Sequence, residues 1–273
     1  MEAFHIHHGL QPAAEDFVRV CEMQCVLSGV RLHVERVDAR HVSGQSPEDA
    51  ARRARYAALA RAGHCRGMRG MLLGQHADDQ AETLLLALSR GAGLPGLSAM
   101  AAQFEREGMA FYRPLLQMPS AGLRAWLTGE SIAFADDPTN QDERHTRNRI
   151  RVRLLPVLGQ AFPQFRTTFA RSARHAAQAQ ALLVEVAIQD LAAAGNPPAV
   201  QALQAISVAR QANLLRYWLT LQQATPSAAQ LDQLLRQVAA CATRGHRIQM
   251  KVASGRVTRQ GACLHYAPLA LAC

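Results

Sequence analysis

Two adjacent carboxylates, Asp78 and Asp79, are the residues of this sequence best placed to do chemistry. They follow an apolar run at 69–74, which is typical of a buried strand, and they precede a helical pattern. In sheets covered by helices, ligands bind beyond the carboxyl ends of the strands. Neighbouring carboxylates repel each other unless a cation lies beside them, and Mg²⁺ carried by a nucleotide suits such a pair. One interpretation is therefore a catalytic or magnesium-binding role.

The same acids have a structural interpretation. Asp79 and Glu82 have the spacing of a capping box, with Asp79 in the cap position of the following helix. A cap needs only one carboxylate at the boundary, so it does not account for Asp78. The residues by themselves leave both interpretations open.

Four arginines, Arg147, Arg149, Arg151 and Arg153, alternate with other residues further along the chain. By periodicity alone they could form a strand with one basic face. A solvated face is the simplest interpretation, but phosphate contact agrees better with 30 Lys+Arg against 21 Asp+Glu and a formal charge of +9. Only Lys251 is a lysine, and arginine favours forked contacts to phosphate. We therefore predict a polyanionic partner.

Histidines and cysteines carry a weaker signal for metal. His5 and His7 fall on one face of a predicted strand and His8 on the other, with no acid or thiol nearby at matching spacing. A turn beside a nucleotide is favoured over zinc. The six cysteines include no C-x-x-C pair, so free thiols in a reducing cytoplasm are expected.

The elements that position these residues alternate between strand and helix in the first half of the chain. Strand patterns fall at 3–8, 31–37 and 69–74, and helical patterns at 13–27, 46–62 and 83–90, the last closed by a glycine. Such alternation predicts an α/β fold with a parallel sheet covered on both faces. Residues 150–240 predict helices with a break at 195–198, and residues 247–266 predict a few terminal strands.

Size and composition indicate a folded chain without a membrane span. The 273 residues are 49% hydrophobic and 19% charged, and two domains are the favoured arrangement. No apolar run approaches the roughly 18 residues that cross a bilayer. The first eight residues contain no basic segment followed by an apolar one, so no secretion signal is visible and a cytoplasmic location is expected.

Several stretches form one ordered set along the chain. The central one runs through 76–83 (HADDQAET), 90–93 (RGAG) and 96–100 (GLSAM). The others are 5–10 (HIHHGL), 51–56 (ARRARY), 136–140 (DDPTN), 147–151 (RNRIR), 216–219 (RYWL) and 226–227 (PS). Together they resemble the tRNA(Ile)-lysidine synthetase family of PP-loop ATPases. The resemblance covers nearly the whole chain, and the combination is far more specific than any one stretch.

The resemblance implies an activity. That family ligates lysine to the wobble cytidine of an isoleucine tRNA with a CAU anticodon. ATP adenylates oxygen 2 of the cytosine and releases pyrophosphate, and the lysine amino group then attacks carbon 2 and expels AMP. ATP and Mg²⁺ are thus the implied cofactors, and tRNA(Ile) and L-lysine the implied partners. No membrane partner is expected, and a homodimer is left open.

The resemblance also implies roles for single residues. Asp78 and Asp79 would be catalytic and would hold metal or the substrate amine, and Arg147 would stabilise the adenylated intermediate. The implied nucleotide contacts are His7, His76, Glu82 and Arg90, and the implied tRNA contacts are Arg149, Arg151, Arg153 and Arg174. The family has the arginine run on a helix, where 147 pairs with 151 and 149 with 153. Arg166 and Arg171 would extend the basic surface along the tRNA backbone.

One departure from the family pattern concerns the ATP phosphates. PP-loop enzymes hold them with a Ser-Gly-Gly-x-Asp-Ser loop after the first strand, and no such sequence occurs here. We interpret the chain as N-terminally truncated and expect it to bind ATP poorly by itself. The expected fold is a PP-loop (adenine nucleotide alpha hydrolase-like) sheet without its first strand over 1–146. A mostly helical tRNA-binding domain with terminal strands is expected over 147–273.

Two other functions stay open. A PP-loop enzyme that thiolates tRNA would share the fold and the ATP chemistry, although such enzymes usually need paired cysteines near the site, and the spacing here is wrong. The other is a non-catalytic RNA-binding protein without a nucleotide loop. In-frame codons for the loop upstream of Met1 would favour an enzyme, whereas a stop codon there would favour the non-catalytic protein.

Overall fold

The structure is a computed structural model that describes residues 1–7, 14–37, 47–243 and 245–269. It contains two compact units, Met1–Ala176 and Ala177–Cys273. By this division the whole arginine run belongs to the first unit. The functional boundary that the sequence predicts between residues 146 and 147 stays a prediction. Three residues with predicted positions are outside the described residues: His8 at the end of the first strand, Gly9 in the turn after it, and Ser46 at a helix start.

The first unit alternates strands and helices, as predicted. Its first elements are β1 (Glu2–His7), α1 (Ala14–Leu27), β2 (Arg31–Arg36), α2 (Pro47–Cys65), β3 (Met71–Leu72), α3 (Ala77–Ser89) and α4 (Leu94–Leu97). They are followed by β4 (Gln103–Arg106), β5 (Met109–Tyr112), α5 (Ser120–Gly129), a 3-10 turn (Pro138–Gln141), α6 (Thr146–Arg149), a π turn (Ile150–Leu154), α7 (Leu155–Ala161) and α8 (Phe165–Ala194). Helix α8 continues into the second unit.

The strands of the first unit form two hydrogen-bonded sheets. Strands β1 and β2 pair in parallel, while β5 pairs in parallel with β3 and antiparallel with β4. The predicted parallel α/β arrangement is confirmed, but the β4–β5 hairpin was not predicted, because its turn has Glu107 and Gly108 at φ 53 and 69 without an Asn-Gly or Asp-Gly signal. A cavity of about 660 Å³ is lined by both β1 and β3.

An aromatic cluster supports the end of β3, where the segment that leads to Asp78 begins. The Tyr56 ring lies edge-on to Phe111 at 5.1 Å and to Phe104 at 5.6 Å between centroids. The Arg113 guanidinium carbon lies 4.2 Å from the Phe104 centroid, and the same side chain donates to the hydroxyl of Tyr56 and to Oε1 of Gln75. This packing fixes residues 73–76 between β3 and α3.

The second unit is helical with a small terminal sheet, as predicted. After α8 it contains α9 (Val200–Gln204), α10 (Val208–Leu221), α11 (Ala228–Ala239), β6 (Gln249–Val252), β7 (Gly255–Gln260) and β8 (Cys263–Pro268), with the three strands antiparallel. Its core is built around Trp218, which packs with leucines of the three helices and with Val257 and Leu264 of the sheet. Within the described parts of the chain, no helix has the length and apolar character needed to cross a membrane.

Candidate active site

Helix α3 begins three residues earlier than the predicted cap implies. His76 is the N-cap, its Nδ1 accepts from the Asp79 backbone N–H, and Asp79 Oδ2 accepts from the His76 backbone N–H at 3.0 Å. The predicted box of Asp79 with Glu82 is therefore wrong, because Asp79 is the third residue of the helix. The predicted glycine at the other end is confirmed, since Gly91 follows the C-cap Arg90 with φ 64. Glu82 is left available for another role.

Asp78 is buried and has protein donors on both carboxylate oxygens. Oδ1 accepts from Arg166 Nε at 2.6 Å, and Oδ2 accepts from the backbone N–H of Ser120 at 2.8 Å. Burial by itself raises the pKa of Asp78, but the hydrogen bonds from Arg166 and Ser120 outweigh it and leave the pKa below its usual value. The carboxylate is thus held in its charged form.

Glu82 is the centre of a forked arginine pair. It is fully buried, and it accepts from Arg147 Nε at 2.6 Å on Oε2 and from Arg151 Nε at 2.7 Å on Oε1. Both guanidinium groups also approach Oδ1 of Asp79, at 3.4 Å for Arg147 and 3.5 Å for Arg151. Arg151 further donates to Oδ1 of Asn140 at 2.8 Å. Acids from α3 and guanidinium groups from α6 and the π turn therefore share one site.

The arginine run is helical, as the resemblance implied, and its two pairs face different neighbours. Residues 147 and 151 meet on Glu82, whereas Arg149 donates to the backbone oxygen of Glu143 and Arg153 pairs with the Glu143 carboxylate. The π turn between α6 and α7 adds a residue to one helical turn and keeps Ile150 buried against α3. Arg149 and Arg153 remain exposed.

Other predicted site residues lie elsewhere in the first unit. His7 ends β1 with its Nε2 3.3 Å from the Glu15 carboxylate, and Arg90 caps the far end of α3. Because Arg90 is the C-cap of α3 and lies 12 positions after Asp78, the two are about 18 Å apart along the helix axis. Arg174 is exposed on α8, eight positions beyond Arg166. The structure joins Asp78, Asp79, Glu82, His76, Arg147 and Arg151, and it does not bring Arg90 to them.

Three site residues were missed or misjudged from the sequence. Arg166 was expected along the RNA backbone, yet it pairs with Asp78. Ser120 contributes only a backbone N–H, which no side-chain pattern reveals. Asn140 lies in the DDPTN stretch, and that motif was the one available signal for its contact with Arg151.

The site combines three carboxylates with three guanidinium groups, so their formal charges cancel. The groups are Asp78, Asp79 and Glu82 with Arg147, Arg151 and Arg166. Among the residues that the structure describes, Asp79 Oδ1 has only the two long arginine contacts, which exceed the 2.7–2.9 Å typical of charge-assisted hydrogen bonds. The Arg147 side chain is 30% exposed and uses Nε and Nη2 in these contacts. Because an arginine has five N–H donors, some of them remain for a ligand. The arrangement can offer one carboxylate oxygen to a cation and guanidinium donors to an anion.

Two regions of the chain match protein families. Residues 1–158 match the PP-loop domain, and residues 199–265 match the TilS substrate binding domain. The first match alone covers more than half of the chain. The two matched regions lie in the order that the sequence motifs predicted.

Curated proteins are similar over almost the full chain. The tRNA(Ile)-lysidine synthase of Polaromonas naphthalenivorans (strain CJ2) is 73% identical over 270 residues, which cover 99% of this chain and 82% of that protein. The tRNA(Ile)-lysidine synthase of Burkholderia pseudomallei (strain K96243) is 41% identical over 263 residues, which cover 93% of this chain and 53% of that protein. This chain therefore spans about half the length of the second relative.

A solved structure shares the fold. The U34-tRNA thiolase NcsA from Methanococcus maripaludis, with its 4Fe-4S cluster, matches with a TM-score of 0.53 at 12% identity, over 63% of this chain and 61% of that one. At this identity the likeness concerns the fold alone.

Proposed function

The chain belongs to the tRNA(Ile)-lysidine synthase family, and from this premise we propose that it ligates L-lysine to the wobble cytidine of tRNA(Ile) using ATP. One observation carries the proposal for this site. Asp79 and Glu82 of α3 meet Arg147 and Arg151, which come from a segment more than 60 residues later. We place the reaction in the cytoplasm, where the tRNA is, and leave a homodimer open.

The guanidinium groups serve the charge that develops during adenylation. Arg147 stabilises the adenylated cytidine and the departing pyrophosphate, because its exposed donors can bind oxygen while Nε stays on Glu82. Arg151 is tied to Glu82 and Asn140 and keeps Arg147 in place by sharing the same carboxylate. These arginines also give the buried Glu82 a hydrogen-bond donor on each carboxylate oxygen.

The carboxylates serve the incoming amine and the metal. Asp79 Oδ1 is held only by the two long arginine contacts among the described residues, so we assign it the cation, either the lysine ammonium or Mg²⁺. Asp78 fits a metal less well, because both of its oxygens accept from Arg166 and Ser120. We therefore propose Asp79 as the protein ligand of a magnesium ion whose other ligands are nucleotide phosphates, a usual arrangement for this ion. Bound there, the ion would neutralise charge on the pyrophosphate that leaves.

Incorporation of labelled lysine into transcripts of tRNA(Ile) tests the function. Because the 273 residues contain no Ser-Gly-Gly-x-Asp-Ser sequence, the assay uses a fusion that supplies this loop and its strand ahead of Met1. Incorporation should require ATP and a CAU anticodon, and a transcript with a GAU anticodon is the matched control. A fusion that binds ATP and the CAU transcript but transfers no lysine would show that the proposed reaction is wrong.

A further inference from the structure

Arg124 and Phe134 form an exposed stack in the first unit. The guanidinium carbon of Arg124 lies 5.2 Å from the centroid of the Phe134 ring. The Arg124 side chain is 53% exposed and Phe134 is 38% exposed. Nη2 of Arg124 donates to Oδ1 of Asp136 at 2.6 Å, which fixes the orientation of the guanidinium plane. None of the roles proposed above uses these residues.

The stack lies beside the carboxylate site. Ser120, which donates its backbone N–H to Asp78, precedes Arg124 by one turn of α5. Residues four apart on a helix share one face and are about 6 Å apart. The hydrogen bond to Asp136 raises the pKa of Arg124 above its usual value, although burial and the positive charge of Arg151 act in the opposite direction. Arg124 is therefore one helical turn from the residue that binds Asp78, at the carboxylate end of the cluster.

We propose that the Arg124–Phe134 stack binds an unpaired base of the tRNA next to the base that reacts. The proposal rests on the proposed function and names one more part of its RNA site. Unpaired RNA bases are recognised by stacking on aromatic rings and on guanidinium planes. A base that undergoes chemistry must leave the stack of its loop, so its neighbour loses a stacking partner. An exposed arginine and phenylalanine pair beside the reactive site supplies a new one.

A fluorescent RNA hairpin tests this binding with the chain as it exists. The hairpin carries the CAU loop, with 2-aminopurine in place of the adenine that follows the wobble cytidine. Stacking quenches this base, so the chain should bind the hairpin and lower its fluorescence. Phe134→Leu should weaken binding about 5- to 100-fold, the range expected for one lost base stack, and should abolish the quenching.

Trp126→Leu is the matched control. Trp126 is also on α5 and is 59% exposed, but it lies two residues from Arg124 and so points to another side of the helix. Its replacement should change neither affinity nor quenching. Phe134→Trp keeps a ring at the stack, so it should retain both.

The outcomes separate this proposal from the proposed function. If the chain binds the hairpin and Phe134→Leu binds and quenches equally well, the stack is only a structural contact and the proposal is overturned, while the tRNA function stands. If the folded chain does not bind the hairpin at all, the proposed function fails too. If Phe134→Leu no longer unfolds cooperatively, its loss of binding says nothing about the stack, and Phe134→Trp becomes the test. A folded Phe134→Trp chain that does not bind the hairpin would also overturn the proposal.

Discussion

Glu82 accepts a 2.6 Å hydrogen bond from Nε of Arg147, although the two residues are 65 positions apart in the sequence. Glu82 is fully buried, and Arg151 binds its other oxygen. A buried carboxylate is costly unless it is paired and hydrogen-bonded, and the two guanidinium groups supply both the pairing and the hydrogen bonds. The pair also ties α3 to α6 and brings both arginines within reach of Asp79.

Glu82→Gln should destabilise the first unit. The change leaves Arg147 and Arg151 without their shared anion, and breaking a fully buried pair costs about 3–5 kcal/mol. Because these arginines are 30% and 32% exposed, we expect a smaller loss, about 2–4 kcal/mol in the free energy of unfolding. Urea unfolding measures it. Glu143→Gln, whose partner Arg153 is 72% exposed, should cost less than about 1 kcal/mol, and equal losses in the two variants would contradict the prediction.

Arg147→Lys should impair the reaction more than tRNA binding. A lysine keeps the charge but cannot hold Glu82 and approach Asp79 with a forked group. Turnover of lysine incorporation in the fusion should fall about 100- to 1000-fold, the usual effect of removing one transition-state donor. The dissociation constant for tRNA should stay within about threefold. The control is Arg144→Lys, with an 87% exposed side chain, and parallel losses of binding and turnover would assign Arg147 to RNA anchoring instead.

The acid stability of the chain should depend on Asp78. Arg166 and Ser120 hold its pKa below the ordinary value of 3.8, so the charged carboxylate favours the folded state. This stabilisation is complete above the unfolded-state pKa and is lost as the pH falls through the lower folded-state pKa. The difference in unfolding free energy between the wild type and Asp78→Asn should therefore be constant near neutral pH and shrink below about pH 4. Urea titrations from pH 7 to pH 3 test this, and a difference that does not change over that range would contradict it.

Salt dependence should identify the arginines that contact phosphate. Arg149, Arg153 and Arg174 are exposed in the first unit and are predicted to bind the tRNA backbone. Each substitution by alanine should lower the slope of log affinity against log salt by about 0.7–0.9. Arg19→Ala, on α1 and paired with the exposed Asp16, serves as the control and should leave the slope unchanged. An unchanged slope for all three variants would show that these arginines do not contact the tRNA phosphates.

The cavity between β1 and β3 should accept one more parallel strand. Both strands line it, and neither pairs with the other. An added strand would satisfy backbone groups on both edges and join the two sheets. The fusion that supplies the PP-loop and its strand should therefore raise the melting temperature of the first unit. A fusion with the strand replaced by a Gly/Ser segment of equal length is the control, and equal melting temperatures would show that the cavity does not bind a strand.

Periodicity and local motifs predicted most elements of the fold, because they depend on near neighbours in the chain. The helical and strand patterns placed α1, β2, α2 and the terminal strands within a few residues. The boundary of α3 was misplaced because His76 caps it, and histidine is not a usual capping residue. The β4–β5 hairpin was not predicted because the sequence of its turn carries no typical hairpin signal.

The sequence by itself determined which residues could do chemistry, since the motif around Asp78 and Asp79 and the alternating arginines are local patterns. Only the tertiary structure decided how they combine. Arg166 reaches Asp78 across 88 positions and Arg147 reaches Glu82 across 65, and no local rule relates residues so far apart. These partnerships follow from the packing of α3 against the π turn and α8 through Ala81, Ile150 and Phe165, which brings the charges into contact.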